Sequence, residues 1–106
     1  MSTDKKDTGR QRDEDLQVLD RVKRPKRRKV ILHNDDYTPM EFVVHVLEEV
    51  FFHSSASATR IMLTVHNAGE GVAGTYPGEI AEAKAARAIR VAREAGFPLM
   101  VTTQSE

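Results

Sequence analysis

The sequence contains no cysteine and no tryptophan, and only six aromatic residues in all. Without thiols there is no disulfide frame, no cysteine nucleophile and no thiolate zinc site, a composition that suits a reducing cytoplasm. No apolar run approaches the ~20 residues that cross a bilayer. The N-terminus lacks the apolar core of a signal peptide. The expectation is a cytoplasmic protein. No HExxH pair joins its four histidines, no GxSxG elbow presents a serine, and no glycine-rich loop suits a phosphate. Those absences argue against an enzyme and give no reason to expect a metal or a cofactor. With 106 residues there is room for one small domain, too small for separate cofactor and substrate domains, so a binding module is the expectation.

What is present is unevenly spread. The net charge is zero, but residues 1–29 hold 11 of the 16 basic and 6 of the 16 acidic residues, and the remainder carries the opposite excess. Residues 1–26 are rich in Asp, Lys, Arg, Gln, Ser and Thr, with too few apolar side chains to offset the entropy of ordering, and read as a disordered arm. Within it Leu16, Val18, Leu19 and Val22 are spaced for a transient helical turn. The basic run from Arg21 to Lys29 reads either as a solubilising linker or as a nucleic-acid patch, though the arm has no aromatic to stack on a base.

From Val30 the pattern changes to that of a folded core, and its order reads β-α-α-β-α-β, an α+β arrangement of three helices on one small sheet. Lys29–His33 is a β-type run stopped by Asn34-Asp35-Asp36, residues that favour turns. Thr38-Pro39-Met40-Glu41 has the spacing of a capping box, with Thr38 at N-cap, Pro39 at N1 and Glu41 at N3. Phe42, Val43, Val46, Leu47, Val50 and Phe51 then recur at helical spacing. Ser54 or Ser55 can cap a second helix that carries Ala58, Ile61, Met62 and Val65 and stops near Gly69. Residues 71–76 read as a weak strand. A third helix starts at Pro77-Gly78-Glu79, with Ala81, Ala85, Ala88, Ala92 and Ala95 on a narrow face suited to close packing. Gly96 ends it, and residues 97–102 read as an edge strand because Pro98 cannot donate to a ladder.

Several residues admit two readings. Asn34, Asp35 and Asp36 form either a plain polar turn or a set of acceptors for a cation or an ammonium group. His66 is either a core histidine or a ligand. Met40 and Met62 are either ordinary core or the walls of an adaptable apolar pocket. Glu41–His45 and Glu49–His53 are spaced as helix-supporting pairs.

The run Val30-Ile31-Leu32-His33-Asn34-Asp35-Asp36-Tyr37-Thr38-Pro39-Met40-Glu41-Phe42-Val43 resembles the signature of the ClpS family, bacterial adaptors of the ATP-dependent Clp protease. The resemblance continues through Ala58–His66, Gly74-Thr75-Tyr76 and Glu79–Lys84 to Phe97-Pro98-Leu99. It implies a core domain at residues 27–106, with three helices on a three-stranded antiparallel sheet, preceded by a flexible extension at residues 1–26. It also implies recognition of N-degrons, that is, substrates with an N-terminal Phe, Tyr, Trp or Leu, and their delivery to the unfoldase ClpA and its peptidase ClpP. By the same resemblance Asn34, Asp36 and His66, with Asp35 alongside, would hold the substrate's α-amino group. Leu32, Thr38, Met40, Val43, Met62, Val65 and Leu99 would line the side-chain pocket, with Met40 excluding β-branched residues. Glu79 and Lys84 would contact the N-terminal domain of ClpA, and the extension would engage the unfoldase during delivery. His33 stands where relatives carry an apolar residue beside the pocket mouth.

The chemistry of such a site is coherent. An α-amino group with a pKa of about 7.7–8.0 is mostly an ammonium at neutral pH and offers three donors. An internal peptide N–H offers one and would leave acceptors unsatisfied, at a cost of roughly 1–3 kcal/mol. An alternative reading makes the chain a nucleic-acid or ribosome-associated module that uses its basic arm. A third, a metal-dependent hydrolase built on Asp35, Asp36 and His66, has no ligand spacing behind it.

Overall fold

A computed structural model describes residues 26–106. The expected arm lies outside the described residues apart from Lys26, as do the apolar turn at Leu16–Val22 and the basic residues before Lys26. The element order is β1 (Arg27–His33), α1 (Met40–Glu49), α2 (Ser55–Ala68), β2 (Glu70–Pro77), α3 (Gly78–Glu94) and β3 (Met100–Ser105). This is the expected β-α-α-β-α-β order, and the sheet is antiparallel throughout, with β1 in the middle of the order β2-β1-β3.

Strand β1 is central because it is the most apolar strand, and Val30, Ile31 and Leu32 are all buried. Strand alternation sends Val30 and Leu32 to the helical side, where they join the main core with Val43, Val46, Leu47, Val65, Leu99 and Val101. Ile31 faces the other side, next to Val72 and Thr102 in the ladder. Between Val30 and Ile31 the register to β2 slips, so that Val30 pairs with Gly74 and Ile31 with Val72. Ala73 is the extra residue of a β-bulge. The imidazole Nε2 of His53 donates to the Ala73 carbonyl and ties the α1–α2 connection to that bulge. His53 thus lies outside α1, and the expected Glu49–His53 helix pair does not form.

Helix α3 brings its small face onto the sheet: Ala81, Ala85, Ala88 and Ala92 are buried. Methyl groups in place of larger side chains let the helix axis approach β1 and β3 closely. Ala95, expected on the same face, is exposed, because the helix has ended and Ala95 is its C-cap. Gly96 follows at φ +86°, a left-handed conformation that only glycine adopts without penalty. The final strand begins later than the sequence suggests. Phe97, Pro98 and Leu99 form the connection, and β3 is an edge strand by its place in the sheet, with Pro98 outside it.

Helix α2 is capped by Ser54, whose hydroxyl accepts from the Ser57 amide at 3.2 Å. It packs against β2 where Gly71 sits: a Cβ there would lie 2.9 Å from Val65 Cγ2, so the helix and strand meet at a spacing that a side chain would force apart. Of the basic run, Arg27, Arg28 and Lys29 belong to β1, where Arg27 pairs with Glu106 just past β3 (3.6 Å) and Arg28 with Glu82 on α3 (3.4 Å).

Candidate functional site

The segment after β1 is held by Asp35. Its Oδ1 accepts from the amides of Tyr37 (2.8 Å) and Thr38 (2.7 Å), and its Oδ2 accepts from the Thr38 hydroxyl (2.8 Å). This is an Asx-type turn, and it replaces the expected capping box. Pro39 is the N-cap of α1 and gives no side-chain cap, while its carbonyl accepts from Phe42 and Val43. Glu41 therefore sits one position earlier than a capping box requires, and the turn's amide donors are satisfied from Asp35.

Burial alone would raise the Asp35 pKa, but the bonds from Tyr37 and Thr38, with the nearby Arg93 charge, outweigh it and hold the carboxyl below its usual value of 3.8. A depressed pKa means that the ionised form stabilises the fold. That contribution is complete above the unfolded-state pKa and is lost as pH falls through the folded-state one. The midpoint of urea unfolding is expected to drop more steeply below about pH 4 in this protein than in Asp35→Asn. Identical acid limbs for the two proteins would contradict this account of the turn.

Asn34 is fixed by its own backbone, its amide donating to the Gly69 carbonyl at 2.9 Å. Gly69 is the left-handed C-cap of α2 (φ +91°). His66 lies three residues earlier in the last turn of the same helix and is exposed, so it is not a core histidine. One backbone bond therefore draws the Asn34–Asp36 turn to the end of α2 that carries His66. Asn34 and Asp36 are exposed, and Asp36 makes no side-chain hydrogen bond among the described residues. An amide oxygen, a free carboxylate and an imidazole at one edge are acceptors suited to an ammonium group. Asp35 differs from them, since its oxygens are already engaged by the loop.

Behind this edge lie the apolar residues singled out in the sequence. Leu32, Val43, Val65 and Leu99 are buried in the core, Met62 is half-buried against it, and Met40 opens α1 about half exposed. Thr38 is half-buried, its hydroxyl spent on Asp35. Leu99 is positioned from α3: Nη1 of Arg93 donates to the carbonyls of Phe97 (3.0 Å) and Leu99 (2.9 Å), and the Phe97 ring packs edge-on against Phe42 at 4.8 Å between centroids. No periodicity in the sequence announces that clamp. His33 does not stand at this edge of the helical side. It points to the opposite face of the sheet from Leu32, where its Nε2 shares a 2.7 Å hydrogen bond with Thr102 Oγ1.

Glu79 and Lys84 lie at the other end of the sheet. Gly78 opens α3, and its amide donates to the Lys26 carbonyl at the start of β1. Seven residues of strand, about 20 Å at 3.3 Å per residue, separate that end from the Asn34 turn. Glu79 and Lys84 help to line a cavity of about 320 Å³ together with Val50, Ile80, Ala83 and Arg87. The Lys84 ammonium donates to the Val50 carbonyl at 2.9 Å and sits 4.4 Å from the Phe52 ring centroid and 5.4 Å from that of Tyr76. Phe52 is exposed and left-handed (φ 58°), an uncommon state for a bulky residue, and nothing in the sequence signalled it. Burial raises the Tyr76 pKa above its usual value of 10.0.

The family model for ATP-dependent Clp protease adaptor protein ClpS matches residues 23–102. The chain belongs to the ClpS family. Among curated relatives, the ATP-dependent Clp protease adapter protein ClpS of Lawsonia intracellularis is 50% identical over 90 residues, covering 85% of this chain and 83% of its own length. The ClpS of Ruegeria pomeroyi is 48% identical over 106 residues, covering 100% of this chain and 94% of its own length. A solved structure of Agrobacterium tumefaciens ClpS2 bound to L-phenylalaninamide superposes with a TM-score of 0.75 at 51% identity, covering 78% of this chain and 100% of that one. This ClpS-family chain is therefore similar to a protein whose structure holds L-phenylalaninamide.

Proposed function

We propose that this chain is a cytoplasmic N-degron adaptor: it binds the N-terminal Phe, Tyr, Trp or Leu of a substrate and delivers it to the ClpA unfoldase of the ClpAP protease. The observation that carries the reading is the meeting of the Asn34–Asp36 turn with the His66 end of α2, above a wall of Leu32, Val43, Met62, Val65 and Leu99. The similarity to a relative bound to L-phenylalaninamide supports it. Asn34, Asp36 and His66 accept from the ammonium, Asp35 shapes the turn that presents them, and burial of a Phe or Leu side chain adds about 2–3 kcal/mol. The task is binding and handover, with no bond made or broken in the cargo.

Glu79 and Lys84 form the unfoldase contact in this reading. Their place at the far end of β1 lets cargo and unfoldase be held at once. Residues 1–26 are the extension that the unfoldase engages, and 27–106 the binding core. Met40, exposed at the first turn of α1, limits which side chains enter. Met40→Ala is expected to lower the preference for N-terminal Leu over Ile by about tenfold or more, the scale set by a methylene's worth of pocket shape. An unchanged ratio in competition binding would remove Met40 from that role. Delivery is tested with a Phe-initiated reporter, a Val-initiated control and purified ClpAP. The chain should accelerate degradation of the first only, and Glu79→Lys should abolish the acceleration while leaving peptide binding intact. Equal acceleration of both reporters would refute the proposal.

A further inference from the structure

The cavity at the start of α3 lies where the N-terminal arm enters the fold. Its floor is apolar (Val50, Ile80 and Ala83), Ile80 is about half exposed, and Glu79 and Arg87 flank it two turns apart. The Lys26 carbonyl, bonded to the Gly78 amide at 3.0 Å, fixes the arm's exit beside Glu79. Twenty-five residues precede that point, and their apolar content is concentrated in Leu16, Val18, Leu19 and Val22.

We infer that residues 16–22 of the arm dock into this cavity of their own chain. Leu16, Leu19 and Val22 recur at the spacing of one helical face. Pro25 ends any helix before β1, and Lys23 to Pro25 provide a link of up to about 10 Å, enough to return Val22 to the first turn of α3. From Leu16 to Val22 a helix rises about 9 Å, which fits between Glu79 and Arg87 at 1.5 Å per residue. The charges agree with an antiparallel course. Arg21, Lys23 and Arg24 fall near Glu79, while Asp13, Glu14 and Asp15 fall near Arg87 and Arg90, and the two helix dipoles oppose. A short tether supplies an effective concentration in the millimolar range, so a weak contact suffices. The docked arm covers Glu79 and Lys84, so it and the unfoldase compete for one face. That consequence rests on the proposed function, whereas the docking itself does not.

Because the chain has no cysteine, Gln17→Cys in the full-length protein takes a single nitroxide label. The amide signals of Ile80, Ala83 and Arg87 are expected to lose most of their intensity, while those of Val72 and Thr102 on the open sheet face keep theirs. Leu16→Ser with Leu19→Ser in the same labelled chain should restore the lost signals. Broadening that is absent, spread evenly over the surface, or indifferent to the serine pair would overturn the inference. Mixing labelled chains with isotope-enriched unlabelled ones tests the remaining occupant. Selective broadening in that mixture would mean that a second copy fills the cavity, and would overturn the intramolecular assignment.

Discussion

Asp36→Ala and His66→Ala are each expected to weaken binding of a peptide with a free N-terminal Phe by about ten- to a hundredfold. A hydrogen bond to a charged group contributes about 1.5–3 kcal/mol, and in the proposed site each substitution removes one acceptor of the ammonium. Both residues are exposed. Neither fills a core position, and changes at such sites stay within about 0.5 kcal/mol of wild-type stability. The two effects therefore separate: affinity falls while the urea midpoint holds. Asp35→Ala behaves differently, because its carboxylate holds the Tyr37 and Thr38 amides, and it should lose stability and affinity together. Near-wild-type affinity in both the Asp36 and His66 variants would remove them from the amino-binding set.

Leu47→Ala is expected to destabilise the domain by about 2–5 kcal/mol, through lost transfer free energy plus the cavity left behind. Leu47 is fully buried in α1, within the core shared with β1 and α3, and its neighbours Val43, Val46 and Val50 are stiff β-branched side chains that cannot swing in to fill the gap. A small domain holds only about 5–15 kcal/mol in reserve, so the change should lower Tm by tens of degrees or prevent folding. Peptide affinity, measured where the variant is still folded, should change little, since Leu47 is outside the candidate pocket. A loss below about 1 kcal/mol by urea titration would show that the core repacks and that the account of its rigidity is mistaken.

These expectations draw on features that differ in how visible they are in the sequence. The three helices, the three strands and their order follow from local periodicity and punctuation, and Ser54 and Gly69 act as cap and stop where their chemistry puts them. The observed N-cap, Pro39, is one residue past the Thr38 that the spacing predicts, because a capping box is a local pattern. The competing acceptor, Asp35, sits just upstream, takes the Thr38 amide that Glu41 would have held and engages the Thr38 hydroxyl as well. Strand β3 starts later than the apolar run at 97–102 suggests because Phe97 and Leu99 are apolar for a different purpose, one packing edge-on against Phe42 and the other filling the core. His33 faces away from the candidate site because strand alternation, set by the burial of Leu32, decides its side. The Lys84–Phe52–Tyr76 cluster brings the α1–α2 connection against the β2–α3 corner, and no local pattern foretells such contacts. The Asn34–Gly69 bond is of the same kind, and it is the contact that makes two separate motifs one candidate site.

The two ends of β1 carry different surfaces, polar acceptors over an apolar wall at one and a small cavity between opposite charges at the other. An adaptor needs two such independent faces on a rigid body, and a central strand flanked on both edges supplies the rigidity.

The most direct test of the central claim is fluorescence anisotropy with one labelled peptide in three forms: free N-terminal Phe, N-acetyl-Phe, and free N-terminal Ala. The account predicts binding of the first alone, with at least about a hundredfold loss on acetylation, because acetylation removes the charge and two of the three donors. Equal binding of the free and acetylated Phe peptides would contradict it.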